Sequence, residues 1–341
     1  MLRATYARWF TLALAAALVA VATAALGLGS VAIPPGEALG RLWAALQGQP
    51  TDDVTTRILL ASRVPRILLA GAVGAGLALA GLASQTLFRN PLASPYVVGV
   101  SGGSAVGAVA AMLLVGKAGG LTFAAVPVFS IAGGLGVAVC VFTLAQRGTH
   151  FGHSLLLAGI AVGALCSSLT AGALYLAGEK LQILVFWLMG GLWRTNWRDA
   201  MLMMPVTCAA FTGMMLLAPA MNVVLVGERS ARDLGVRVAT LQGALLIIIA
   251  VTTAVAVSLT GVIGFVGLIV PHLFRLCVGA DHRRLVPAVA IGGALLLIVA
   301  DTLARTVAAP AEVPVGILTA VVGAPIFLWL LQKKGIGKPS T

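Results

Sequence analysis

RVPRILLAGAVGAGLALAGLASQTLFRNPLASPYVVGVSGGS, residues 63–104, is the stretch whose reading decides the fold. Arg63 and Arg66 stand at its start, and the run Ile67–Phe88 behind them carries no charge. As a helix rising roughly 1.5 Å per residue, those 22 residues reach about 33 Å, enough to cross a hydrocarbon core of about 30 Å. The run ends at Arg89-Asn90-Pro91, and Pro95 follows. Proline has no amide to donate and pushes the residue before it toward extended backbone, so this turn is not helical. The spacing predicts a transmembrane hairpin with an irregular turn. Such backbone persists only outside the lipid, packed in protein or lining a water-filled path.

Working outward, 60% of the 341 residues are hydrophobic, 9% are charged and only ten are acidic. Long uncharged runs recur throughout, which makes the chain an all-α integral membrane protein with the lipid bilayer as its solvent. The excess of 22 Lys+Arg over 10 Asp+Glu is assigned to membrane-flanking loops. Nucleic acid is excluded as a partner, because no soluble region exists to hold a basic patch. Cys140, Cys166, Cys208 and Cys277 sit in apolar runs without CxxC spacing and read as small buried hydrophobes. At the N-terminus, Arg3, Arg8 and Ala22-Thr23-Ala24 imitate a secretory signal. The apolar run Trp9–Gly36 exceeds the roughly 7–15 residues of a signal core, so it is read as an uncleaved first span with the N-terminus inside.

Ten spans are expected. The first covers about 9–31, and a polar connection with a short surface helix covers 33–62. The second and third flank the Asn90-Pro91 turn, Lys117 marks a short loop, and the fourth ends at Gln146-Arg147. The fifth runs from about 153 to 177. Leu181–Trp193 is too short to span, and Trp187, Trp193 and Trp197 mark an interfacial helix. The sixth covers about 200–218. Val238–Phe274 would reach about 55 Å as one helix, so it must fold back at Gly261, Gly264 and Gly267. That gives a seventh span at about 238–260 and an eighth at about 262–279. The ninth ends with Asp301 and Arg305, and the tenth covers about 314–332.

Placing both termini in the cytoplasm puts 13 basic and three acidic residues on the inner side, against nine and seven outside. The bias agrees with the positive-inside rule. Spans 2–5 and 7–10 enter the membrane from opposite sides, as an inverted repeat requires. The only sequence trace is Leu87-Phe88-Arg89 against Leu273-Phe274-Arg275. The chain is read as a single transmembrane domain, 1–341, with halves at about 1–180 and 200–333 and a cytoplasmic loop at about 221–237.

Few residues carry chemistry. Gly71, Gly74, Gly76 and Gly81 lie inside a membrane helix and serve close helix approach rather than phosphate binding. No GxxxxGK[ST] motif is present, so ATP-driven work needs another subunit. The spans hold almost no acids, with His272 alone well inside a run and Asp301 near an end, which argues against proton coupling. No nucleophile, acid/base pair or metal cluster supports an intramembrane enzyme. His150 and His153 have i, i+3 spacing and read as interfacial residues, and Asp301 with Arg305 as an i, i+4 ion pair. Arg63 and Arg66 lie on the outer side against the charge trend. Exposed guanidiniums there suit an acidic protein surface or an anionic ligand.

The segments RVPR (63–66), RNPLASPYVVGVSGG (89–103), GERSARDLGV (227–236), GFVGLIVPHLFR (264–275), GADHRRLVP (279–287) and AEVPVGILTAVVGAPIFLWLL (311–331) run through both halves in order. They resemble the permease subunits of type II ABC importers, which take up iron–siderophores, haem and cobalamin. The resemblance implies ten helices per subunit in the bacterial inner membrane and a homodimer with the path at its interface. It also implies two ATP-binding cassette subunits below and a periplasmic binding protein above. ATP and Mg belong to the ATPase subunits, and this chain has no cofactor, metal or catalytic residue of its own. The arginines matching Arg63, Arg66 and Arg305 would meet glutamates of the binding protein. The loop with Gly227, Glu228, Arg229, Ala231, Arg232, Leu234 and Gly235 would couple to the ATPase. Asn90 and Leu92, with Gly152 and His153 at the start of the fifth span, would form the cytoplasmic gate. The family often has small hydroxyl residues where this chain has Gly152-His153. An iron chelate ranks first as cargo, with cobalamin as the alternative.

Overall fold

The computed structural model describes residues 2–29, 31–49, 53–115, 121–148 and 151–333. Asp52, Lys117, His150, Lys334 and Lys338 lie outside them. All regular structure among the described residues is helical. In order the α-helices are α1 (Leu2–Gly27), α2 (Pro35–Leu46), α3 (Val54–Ile58), α4 (Val64–Leu87), α5 (Val100–Leu114) and α6 (Leu121–Gln146). There follow α7 (Phe151–Tyr175), α8 (Leu181–Leu188), α9 (Trp197–Val224), α10 (Glu228–Asp233) and α11 (Val238–Thr260). The last three are α12 (Val266–Val278), α13 (His282–Ala304) and α14 (Val315–Lys333). A π-helical turn, Leu59–Arg63, joins α3 to α4, and a 3₁₀ turn, Pro95–Val98, precedes α5.

Seven helices are long and apolar enough to cross a membrane: α1, the continuous rod of α3 and α4, α6, α7, α9, α11 and α13. They occupy the first, second, fourth, fifth, sixth, seventh and ninth expected spans. Where the third and eighth were expected, α5 and α12 have 15 and 13 residues and reach only about 22 and 20 Å. Each is short because an irregular segment precedes it, Phe88–Gly99 before α5 and Gly261–Phe265 before α12. The second break ends on Phe265, a left-handed residue at φ 67°, and not on Gly267, which is already helical.

The core is built around α4. In its membrane window 78% of residues are buried, against 17% in the windows of α1 and α7. It packs on α13, α9, α11 and α12. Gly74 touches Gly293 of α13 backbone to backbone, and Gly81 meets the Gly267 carbonyl of α12, so a methyl at either would overlap a carbonyl oxygen. These glycines do what the spacing predicted, letting helices approach until dispersion contacts bind them.

Exchanging the halves, α4–α7 for α11–α14, leaves the packing pattern unchanged. The α4–α13 contact becomes α11–α6, and α4–α12 becomes α11–α5. The α5–α7 contact becomes α12–α14, and α4 against α11 maps onto itself. The repeat therefore resides in packing. Leu87-Phe88-Arg89 and Leu273-Phe274-Arg275 are not its trace: the first ends α4, while the second lies in α12, the counterpart of α5. The leading helices break the symmetry, since α1 and α9 both pack on α4 and α13.

Of the cysteines, only Cys166 is buried; Cys140 and Cys208 are exposed and Cys277 is half-buried. Hydropathy does not separate a core position from a lipid-facing one, because both are apolar.

Substituting Gly81→Leu should abolish recovery of folded, monodisperse protein from membranes. Gly243→Ala, where a methyl meets no atom within 4 Å, should leave the thermal midpoint unchanged or slightly raised. Equal yields from both variants would remove the close-approach role of Gly81.

Candidate translocation and coupling sites

At one end of the bundle the chain places Arg63, Arg66 and Arg305 together with Asp301 and Glu312. α1 ends there, and the last carbonyls of a helix have no partners within it. Leu28 and Ile33 donate backbone N–H groups to the Ala24 and Gly27 carbonyls. Arg305 Nη2 donates to the Ala25 carbonyl at 2.7 Å, and Arg63 donates to those of Leu26 and Val31. All four terminal carbonyls are thus satisfied, two of them by cations at the negative end of the helix dipole.

Arg66 spends its guanidinium on two carboxylates. Nε reaches Asp301 Oδ1 and Oδ2 at 3.1 and 3.0 Å, and Nη2 reaches Oδ1 at 2.9 Å. Nη1 and Nη2 reach Glu312 Oε1 and Oε2 at 3.0 and 2.9 Å. The expected Asp301–Arg305 pair exists only at 3.9 Å, and the principal partner of Asp301 is Arg66.

The arginines are not the exposed guanidiniums the sequence led us to expect. Arg63, Arg66 and Arg305 are 4%, 7% and 6% accessible. The reason is local: unfilled carbonyls and two acids at the same level offer them partners inside the fold. Glu312, absent from the sequence-based site, completes the cluster. The signal was available in the topology, which put both acids and all three arginines on one side of the membrane.

At the other end, α10 stands between Gly227 (φ 141°) and Gly235 (φ 82°), backbone conformations that side-chain-bearing residues rarely adopt. Ala231 is fully buried beneath it, while Arg229, Arg232, Leu234 and Gly235 are exposed. Glu228 pairs with Arg232 at 3.3 Å and with Arg89 at 3.1 Å. Arg89, at φ 49°, opens the irregular turn after α4, so one carboxylate ties the α10 loop to that turn. No sequence pattern announced this pair.

Within the turn, Asn90 Oδ1 accepts from the Leu92 amide at 2.9 Å, an Asx-type closure. Asn90 is exposed and Leu92 half-buried. Gly152 and His153 occupy the first turn of α7, half-buried and exposed respectively. The two gate candidates communicate further along, where Gly159 of α7 lies against the Val97 carbonyl at the end of the turn.

Beside them, His282 is buried between Thr86 Oγ1, 3.0 Å from Nε2, and Asn222 Oδ1, 2.8 Å from Nδ1. Asn222 Oδ1 also accepts the His282 backbone amide at 2.8 Å, and its Nδ2 donates to Asp281 Oδ1 at 2.7 Å. Burial pushes the Asp281 carboxyl up. The Asn222 and Arg283 amide hydrogen bonds, with the Arg284 and Arg283 charges, outweigh it and leave the group below its usual range.

The architecture is that of a polytopic helical membrane protein with an ion cluster at one end and a glycine-bounded loop at the other. Residues 17–333 match the FecCD transport family, and the chain belongs to that family. It is 39% identical over 306 residues to the hemin transport system permease protein HmuU of Yersinia pestis, covering 87% of this chain and 90% of the relative. It is 44% identical over 275 residues to the cobalamin import system permease protein BtuC of Halobacterium salinarum, covering 80% and 73%. Among solved structures it is similar to an inward-facing conformation of a metal-chelate type ABC transporter, with TM-score 0.84, 33% identity and coverage of 96% and 99%.

Replacing Arg66 with Met should leave Asp301, only 1% accessible, with no counter-charge closer than Arg305 at 3.9 Å. The loss is expected to be about 3–5 kcal/mol. Purified R66M should melt well below wild type, and R66M/D301L should recover most of the difference. A variant that melts with wild type would show that the cluster holds nothing together.

Proposed function

We propose that the chain is the permease of a type II ATP-driven importer that passes an iron chelate, haem or a ferric siderophore, into the cytoplasm. It works as a homodimer of ten-span subunits with the path between them. Two ATP-binding cassette subunits, carrying ATP and Mg, sit on the cytoplasmic side, and a periplasmic binding protein delivers the cargo. This chain supplies the path, gates and couplings, and hydrolysis takes place in its partners. Both termini face the cytoplasm of a bacterial inner membrane, and the whole chain forms one transmembrane domain.

The observation that carries the reading is the α10 loop. It presents Arg229, Arg232 and Leu234 outward, pivots on two left-handed glycines and is hooked through Glu228 to the turn that opens the membrane path. A motor pressing on α10 would move that turn through Arg89. Asn90 and Leu92 in the turn, with Gly152 and His153 at the start of α7, form the inner gate.

Arg63, Arg66 and Arg305 form the outer docking face, and their partners rank them. Arg66 is held by two carboxylates and acts as the structural post. Arg63 bonds only neutral carbonyls, and Arg305 Nε has no hydrogen-bond partner, so these two can exchange their partners for glutamates of a docking protein.

Haem stands ahead of cobalamin because the hemin permease aligns over more of both chains. Cobalamin is the second reading, supported by the higher identity of its permease.

In the reconstituted complex, one of haem, a panel of ferric siderophores or cobalamin should stimulate ATPase activity and enter vesicles, with haem expected. Stimulation by cobalamin alone would replace the first reading with the second. Failure of any ATPase subunit to associate would end the importer assignment. Arg232→Glu should abolish ATPase association while leaving the permease folded, and unchanged co-purification would remove the coupling role. Binding-protein affinity should fall steeply with salt and in Arg63→Gln and Arg305→Gln. A salt-insensitive affinity would end the docking role.

A further inference from the structure

We infer that a crevice between α1 and α13, at the end of the bundle bearing the α10 loop, is a binding site for the headgroup of an anionic phospholipid. It encloses about 530 Å³ and is lined by Ala7, Arg8, Thr11 and Leu12 of α1 and Arg283, Arg284 and Pro287 of α13. Three arginines thus line one space whose walls are mostly apolar. Among the described residues Arg8 and Arg283 have no carboxylate within ion-pair distance, and Arg284 has only Asp281, at 3.9 Å. Arg63 and Arg66 are spent on internal partners, whereas these three cations have little compensation within the fold, so the crevice suits an anion from outside.

The surroundings select a lipid. Trp9, next to Arg8, is 69% exposed, as befits a side chain at the headgroup level. Up the same helix, Leu12 and Val19 are 60% and 66% exposed and offer an apolar track for acyl chains. A phosphodiester in the crevice would accept paired N–H groups from guanidinium forks while its chains stay in the bilayer. Basic pockets between transmembrane helices hold anionic headgroups by this combination. The α1 and α13 helices pack side by side, so a bound lipid would bridge the leading helix to the second half.

The test is native mass spectrometry on the full chain in mild detergent, titrated with phosphatidylglycerol or with phosphatidylcholine of the same acyl chains. Phosphatidylglycerol should bind selectively. With roughly fivefold lost per arginine, R8Q/R283Q/R284Q should weaken it about a hundredfold. Leu12→Trp keeps every charge but fills the crevice, and should also displace the lipid, which keeps the test valid if the triple variant folds poorly. Equal retention of both lipids, or wild-type affinity in either variant, would overturn the site. Full competition by millimolar inorganic phosphate would overturn it as a lipid site in favour of a soluble anion. Since no transport is measured, the result stands apart from the importer reading.

Discussion

Hydrocarbon offers no hydrogen bonds, so any backbone that leaves the helix at membrane depth must find its partners inside the protein. This constraint shapes the molecule. Two irregular segments, Phe88–Gly99 and Gly261–Phe265, shorten α5 and α12, and the rest of the fold is arranged to cover them. The Tyr96 hydroxyl, in the first break, donates to the Ile263 carbonyl in the second. The Gly191 amide donates to the Thr260 carbonyl at 2.7 Å, and the Gly316 amide to that of Gly190 at 3.2 Å. The segment after α8 is thereby drawn in between α11 and the start of α14. Gly190, at φ 72°, lies directly against Val262, where a side chain would not fit. These breaks are therefore not loose. They are paired with each other and with one further strip of backbone.

The outer cluster obeys the same rule with charges in place of amides. A buried guanidinium is costly unless its donors are filled, and a helix end is costly unless its carbonyls are. Joining the two problems solves both: Arg63 and Arg305 finish α1, and Arg66 neutralises Asp301 and Glu312. Three positive and two negative charges leave a net of one positive, held just below the surface by partners of unequal strength. Such a site ties the end of α1 to α4 and α13 and leaves a surplus positive charge there.

How much of this was legible follows from what periodicity and hydropathy measure. Run lengths located α7 and α11 closely, because each uncharged run was bounded by charges or glycine and each helix nearly fills its run, whereas α9 extends from Trp197 to Val224 against an expected 200–218. The 37-residue run Val238–Phe274 had to fold back on length alone, and it does so after Thr260. The short third and eighth helices were not legible, since hydropathy counts apolar residues whether they are helical or not. Leu87-Phe88-Arg89 misled for a related reason: three residues can recur by chance, while the real repeat lies in which helices touch. The burial of Arg63, Arg66 and Arg305 was hidden because single-sequence topology gives a side of the membrane and no depth. Glu312 could have been found by asking which acids share that side. Arg89–Glu228 could not, because it joins segments whose proximity only the packing of α4, α9 and α11 creates.

That pair joins two segments at the same end of the molecule. α10 is seated on buried Ala231 and bounded by Gly227 and Gly235, whose positive φ lets the chain enter and leave it sharply. Glu228, at its first turn, holds Arg89 beyond the end of α4, a helix too deeply packed to move alone. From Arg89 the turn runs on through the Asx closure at Asn90 and the 3₁₀ segment to Val97, which bears on Gly159 of the sparsely buried α7. The α10 loop is thus linked, past the buried core, to a peripheral helix. The linkage closes on glycine contacts, since Gly159 lies against the Val97 carbonyl and Gly99 lies close to the carbonyl of Gly159.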